Sequence, residues 1–88
     1  MSFDLTEQIL SFGRMIAGVK AVVLFKENPD KPGQVRVNLR SVREVDISAV
    51  ARMFGGGGHK NASACTVNGK LETIRKKVLK QIVRLLNH

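Results

Sequence analysis

Phe54-Gly55-Gly56-Gly57-Gly58-His59-Lys60-Asn61-Ala62-Ser63-Ala64-Cys65 is the stretch on which the reading of this chain turns. Glycine loses more backbone freedom on ordering than any other residue, so four in succession are costly wherever the chain is folded. Such a run suits a flexible linker, or a place where backbone must come very close to something else. Here it leads at once into a histidine, a lysine and an asparagine, then into small residues, which makes a poor linker. It reads instead as an anion cradle: backbone N–H groups, a titratable imidazole, a cation and an amide in one segment.

The flanks supply the scaffold. Upstream, Asp46 is placed to cap a short helix running to about Phe54, with Ile47, Val50, Ala51 and Phe54 on its inner side. Before it, Gln34 to Ser41 alternates: Val35, Val37 and Leu39 point one way, Arg36, Asn38 and Arg40 the other. The two guanidinium groups lie about 13 Å apart at ~3.3 Å per residue. Arg36 reads as part of a solvated sheet face. Arg40 lies at the strand's end beside Ser41, where loops gather and ligands bind. Further back, Ala21 to Phe25 is a β-branched and aromatic run, read as a largely buried strand, and the turn formers of 28–33 close a hairpin.

Residues 4–17 read as a first helix, with Asp4 and Glu7 at its start, Leu5, Ile9, Phe12 and Ile16 as its apolar stripe and Gly18 at its end. Downstream of the glycines, Ala62 to Val67 has strand character and Asn68-Gly69 turns the chain. Leu71, Ile74, Val78, Ile82 and Leu85 then line one side of a last helix, with Arg75, Lys76, Lys77, Lys80 and Arg84 around the other. That basic side reads first as a solvated face and second as a nucleic-acid surface. The pattern predicts an α/β (α+β) fold: a small mixed sheet, helices mainly on one face, a polar face partly open, and a glycine-rich loop from a helix into a strand. Dinucleotide-binding and Walker loops run instead from a strand into a helix amino end, and their spacings are absent.

Eighty-eight residues bound the chain to one domain. Fifteen Lys and Arg against seven Asp and Glu leave a net charge of +8, which fits either a polyanionic partner or a basic solvated surface. No apolar run is long enough to span a membrane, the amino terminus lacks secretory-signal features, and a lone cysteine, Cys65, fits a reducing cytoplasm. Cys65 itself reads as a small core residue.

Leu39-Arg40-Ser41, Val45-Asp46-Ile47 and the block from Phe54 to Ala62 together resemble the DHH-associated substrate-binding domain of DHH phosphoesterases. The likeness is closest to the nanoRNase and phosphoadenosine-phosphate phosphatase branch, with RecJ-type nucleases more distant. It implies that residues 1–88 are one such domain, the carboxyl-terminal fragment of a longer cytoplasmic hydrolase. That enzyme would act on short oligonucleotides or nucleoside 3′,5′-bisphosphates. It also implies a partner, the amino-terminal DHH domain, whose Asp and His residues hold two divalent metals, usually manganese. This chain has three Asp and two His on separate elements and no DHH triplet, so it is expected to bind without hydrolysing and to hold no metal or cofactor itself.

The resemblance also assigns residues. Arg40 and Ser41 would grip a phosphate or the terminal nucleotide. The N–H groups of Gly56, Gly57 and Gly58 would wrap the substrate backbone, and His59 would reach the phosphate near the metals. Lys60 would add a surface cation, and Asn61 would hold the loop. Taken alone, His59 reads as a loop-ordering histidine; its place beside four glycines reverses that. The chain departs from the branch at Ala62-Ser63-Ala64, where Ala-Ala-Gly is usual. A methyl at Ala64 argues against positive φ or a very close backbone approach there. Two other readings stand beside this one: a stand-alone RNA-binding module, as in the related domain of alanyl-tRNA synthetases, and a homodimerisation domain using apolar helix faces.

Overall fold

The alternation along Gln34–Ser41 divides one strand between two environments, and the fold is built around that division. The computed structural model of the protein describes residues 5–87. Among them the elements run α1 (Thr6–Met15), β1 (Ala21–Glu27), β2 (Gln34–Ser41), α2 (Ser48–Met53), β3 (Gly57–His59), β4 (Ala62–Asn68) and α3 (Leu71–Leu86). The strands form one sheet in the order β1-β2-β4-β3. Each neighbouring pair is antiparallel, so the sheet is not the mixed one expected. Connection length explains two of the three pairs: β1 turns into β2, and β3 into β4, through short loops that favour antiparallel neighbours.

On one face Val35, Val37 and Leu39 of β2 and Cys65 of β4 are buried against Ile47, Val50 and Ala51 around α2 and Ile74, Val78 and Ile82 of α3. Each fully buried aliphatic side chain contributes about 1.5–3 kcal/mol. The expected inner sides of α2 and α3 are the ones observed. β1 is half-buried along its length rather than deeply so, because it is an edge strand. Its apolar run is continuous because both faces are covered: Val23 and Phe25 pack on the core, while Val22 faces α1.

α1 lies across the other face, which the sequence pattern left partly open. A Cβ at Gly13 would meet the Val22 methyls at 2.9 and 3.0 Å, so glycine lets the helix settle on β1. Thr6 and Leu10 are the buried residues of α1, and Lys26 Nζ donates to Thr6 Oγ1 at 2.7 Å. The stripe predicted to face the core is therefore not the buried one. Leu5, Ile9, Phe12 and Ile16 are 46, 48, 69 and 50% exposed. At about 100° per residue, Thr6, Leu10 and Gly13 form the underside of α1. The apolar stripe lies about a quarter-turn to one side, and Glu7, Ser11 and Arg14 about a quarter-turn to the other. The strand residues beneath α1 include Lys26 and Arg40, and Thr6 on the underside and Glu7 on the flank offer oxygen acceptors to them.

Two capping expectations meet different fates. Asp4 and His88 lie outside the described residues. Glu7 makes no capping bond; it pairs with Arg40 instead. Asp46 does cap: its Oδ1 accepts from Ser48 N–H at 3.1 Å and from the Ser48 hydroxyl, although the formal N-cap position is Ile47. The Ser48 hydroxyl, and secondarily Arg52 and Lys60, hold the Asp46 carboxyl below the usual carboxylate range. Among the described residues, no helix is long and apolar enough to cross a membrane.

Candidate functional site

The four glycines do four different things. Gly55, at φ 82°, follows the last helical turn of α2, and its N–H donates to Arg52 O at 3.2 Å while that of Gly56 donates to Ala51 O at 2.9 Å. This pair of bonds closes the helix in a Schellman arrangement. Gly56 then passes against β4: a Cβ there would lie 2.1 Å from Ala64 O and 2.5 Å from Cys65 Cβ. The chain next forms strand β3, which the sequence pattern read as loop, because residues without side chains carry no alternation to detect. Gly58, at φ 139°, tolerates a backbone that L side chains rarely adopt. At Gly57 a Cβ would meet nothing within 4 Å, so packing does not demand glycine there.

The expected cradle of three amides is accordingly not a single concave surface. The Gly56 N–H is committed to α2. Gly57 and Gly58, as successive strand residues, turn their amides to opposite sides of β3.

Register brings the predicted side chains together. Arg40 pairs with Ala62 across β2 and β4, and Ala62 pairs with His59 across β4 and β3. Directly opposed residues share a face, so Arg40 and His59 stand on the same side of the sheet with one methyl group between them. The adjacent row runs Asn38, Ala64, Gly57. Ala62, Ala64 and Gly57 thus make a floor of minimal side chains beside Arg40 and His59. Ala64 sits in ordinary strand backbone without positive φ, and the close approach in this block is made by Gly56. Arg40 is largely buried, at 15% side-chain exposure, and its Nη1 donates to Leu39 O at 2.9 Å while Nη2 meets the exposed carboxylate of Glu7. His59 is exposed and makes no side-chain hydrogen bond among the described residues.

Ser41, Lys60 and Asn61 occupy the rim. Ser41 is buried; its hydroxyl donates to Val45 O at 2.6 Å and accepts from Asn61 Nδ2 at 3.0 Å. Asn61 Nδ2 also meets Val42 O at 2.6 Å and Val45 O at 3.0 Å. The two side chains clasp the 42–45 loop to the β3–β4 turn, the loop-holding role expected of Asn61. Lys60 is exposed on that turn, and its carbonyl accepts from Ile47 N–H at 2.9 Å, tying the turn to α2. Cys65 lies in the core, where burial pushes its thiol up against a smaller opposing pull from Arg36.

Ser11, Arg14 and Arg43 at this rim were not singled out by the sequence pattern. A cavity of about 620 Å³ opens between the end of α1 and the 41–43 segment, lined by Ser11, Arg14, Met15, Ser41, Val42, Arg43 and Asn61. Ser11 and Arg14 belong to the same flank of α1 as Glu7; the i, i+4, i+7 spacing of Glu7, Ser11 and Arg14 was the available signal. The basic side of α3, by contrast, belongs to the helix on the core face, across the sheet from Arg40 and His59. Among the described residues, no three His, Cys, Asp or Glu side chains converge as a metal-holding group.

Comparison with known proteins identifies the family. A family model described as "DHHA1 domain" matches residues 3–84. The chain is also similar to oligoribonuclease NrnB of Bacillus subtilis (strain 168), 40% identical over 40 residues, which is 44% of this chain and 10% of that relative. The matched region is therefore about a tenth of that protein's length.

Proposed function

The chain belongs to the DHHA1 domain family, and from that premise we propose that it is the substrate-binding part of a DHH-family phosphoesterase. It holds a phosphate of a short oligoribonucleotide, or of a nucleoside 3′,5′-bisphosphate, between Arg40 and His59. One observation carries this reading: the Arg40–Ala62–His59 row beside a floor of Ala62, Ala64 and Gly57. A guanidinium fork and an imidazole flank a surface that a phosphate and ribose can approach closely. Gly57 keeps open a space that folding does not require to be open.

In this reading Arg40 exchanges the Glu7 carboxylate for a phosphate oxygen pair, and His59 donates from the other side. Lys60 adds long-range attraction, and the Ser41–Asn61 clasp holds the rim still. Gly58 supplies edge backbone. The remaining chemistry we assign to an amino-terminal DHH domain in a cytoplasmic enzyme, with divalent metal ions, manganese by family resemblance, held there. In this reading residues 1–88 are the DHH-associated domain of that protein.

The test is titration calorimetry of the chain with adenosine 3′,5′-bisphosphate and a short oligoribonucleotide. Arg40→Ala and His59→Ala are each expected to weaken binding about tenfold or more; unchanged affinities for both variants remove these residues from the site. The chain alone is expected to show no manganese-dependent hydrolysis, and turnover that survives repeated purification overturns the division of labour.

One observation favours a second reading. The apolar side of α1, Leu5, Ile9, Phe12 and Ile16, is about half or more exposed, an arrangement that marks a contact surface. A stand-alone RNA-binding or oligomerisation module would bury it in a homodimer. Sedimentation of the chain and of Phe12→Glu decides: a dimer abolished by the substitution supports this reading, and a monomer at high concentration removes it.

A further inference from the structure

Resting on the proposed phosphate site, the geometry points to a second phosphate subsite in the cavity beside it. There Arg14 and Arg43 take the next backbone phosphate of an oligoribonucleotide. Both arginines line the cavity, and both are exposed. Neither has a carboxylate or hydrogen-bond partner among the described residues, whereas Arg40 holds Glu7 and Arg75 holds Glu72. Two guanidinium groups without counter-charge around one concavity attract a polyanion and disfavour a neutral ligand.

The cavity is built rather than incidental. Its wall includes Ser41 and Asn61, which are locked to each other and to the carbonyls of Val42 and Val45. Its other wall is the polar flank of α1, which brings Ser11 as a neutral donor next to Arg14. The concavity is open to solvent, so it can take one phosphate of a strand without enclosing a whole nucleotide.

Continuity with the first site follows from the strands. Ser41 succeeds Arg40 on β2, and Asn61 precedes Ala62 of the Arg40–Ala62–His59 row. The cavity therefore begins one residue, about 3.3 Å, beyond that row on both strands. Glu7 belongs to the same flank of α1 as Ser11 and Arg14 and stands on Arg40. A ligand that displaces Glu7 from Arg40 thus continues along that flank into the cavity. One phosphate meets Arg40 and His59, and the neighbouring phosphate meets Arg14 and Arg43.

The experiment compares two probes, adenosine 5′-monophosphate and a 5′-phosphorylated adenylyl dinucleotide, on the unaltered chain, Arg14→Ala/Arg43→Ala and Arg40→Ala. The unaltered chain is expected to prefer the dinucleotide by about tenfold or more. In the double variant that preference collapses, and the dinucleotide's log-affinity against log-salt slope becomes shallower by about 0.7, the contribution of the one phosphate no longer neutralised. Arg40→Ala weakens both probes. Full preference and full slope in the double variant overturn the subsite, and so does absence of binding to either probe by the unaltered chain. If Arg40→Ala matters and the double variant does not, the subsite fails and the proposed function stands. If the double variant matters and Arg40→Ala and His59→Ala do not, the cavity is an anion site and the proposed function fails. The substituted arginines are exposed and bond no other described residue, so unchanged circular dichroism is expected of the double variant.

Discussion

Arg40 and His59 stand on one face of the sheet with a single residue, Ala62, between them, because Ala62 is the register partner of both. Two inter-strand spacings put their Cα atoms about 10 Å apart. Strand geometry sets that separation, so it depends on the hairpin staying in register. The hairpin is held at its turn by Ser41 N–H on Asn61 O at 3.1 Å and Ile47 N–H on Lys60 O at 2.9 Å. A face built this way is sensitive to changes that touch neither residue.

Gly56 and Gly57 should separate folding from binding. Gly56→Ala forces a methyl to within 2.1 Å of Ala64 O, and it is expected to cost about 1–3 kcal/mol in urea denaturation. Gly57→Ala meets nothing within 4 Å and stabilises by up to about 1 kcal/mol through the unfolded chain. It should nonetheless weaken nucleotide binding, because its methyl enters the floor. Equal affinity for Gly57→Ala and the unaltered chain would remove the floor from the site.

Ser63 stands where an alanine is usual in the resembling branch, and its hydroxyl is buried without a hydrogen-bond partner among the described residues. Ser63→Ala removes an unpaid desolvation cost without changing shape. The expected result is a gain of up to about 1 kcal/mol, read from the urea midpoint. A loss of more than about 1 kcal/mol would mean the hydroxyl has a partner in solution.

Glu7 occupies Arg40 where a ligand phosphate is proposed to bind. Glu7→Gln removes the competing charge and is expected to tighten nucleotide binding by up to about fivefold, since the Glu7 carboxylate is exposed and a solvent-screened partner of this kind contributes about 1 kcal/mol. Weaker binding in the calorimeter would show that Glu7 positions Arg40 rather than competing for it.

Acid should act through Asp46 and Glu72. Hydrogen bonds from Ser48 to Asp46 and from Arg75 to Glu72 lower both carboxyl groups below their ordinary values when folded. A depressed folded value means that the stabilisation is fully present above the unfolded value and lost as pH falls through the folded one. The affected window is therefore about pH 4 and below. Asp46→Asn should flatten the decline of melting temperature across that window and lower stability slightly at pH 7. An unchanged acid slope would discard Asp46 as a contributor.

Much of the fold was legible because side-chain periodicity reports burial directly. β2 declared both of its faces through Val35, Val37 and Leu39 against Arg36, Asn38 and Arg40, and α3 declared its buried side through Ile74, Val78 and Ile82. Arg40, His59 and Asn61 were singled out from strand position and from the chemistry beside the glycines, and register gathers them at one end of the sheet. β3 was not, since Gly57 and Gly58 carry no side chains whose alternation could reveal a strand. The orientation of α1 was misread because its most regular apolar stripe is not the side it buries. Lys26 and Arg40 beneath it call for Thr6 and Glu7, and Val22 calls for Gly13.

The sequence by itself determined the α+β class, the core sides of α2 and α3 and the turn at 28–33. These are local or periodic properties, readable from a few neighbouring residues. Tertiary structure alone decided that His59 and Arg40 share a face, that Glu7 lies on Arg40, and that Arg14 and Arg43 border one cavity. Those relationships join residues 19 to 33 positions apart through strand register and helix placement, and pairing of that kind leaves no mark in either segment read separately.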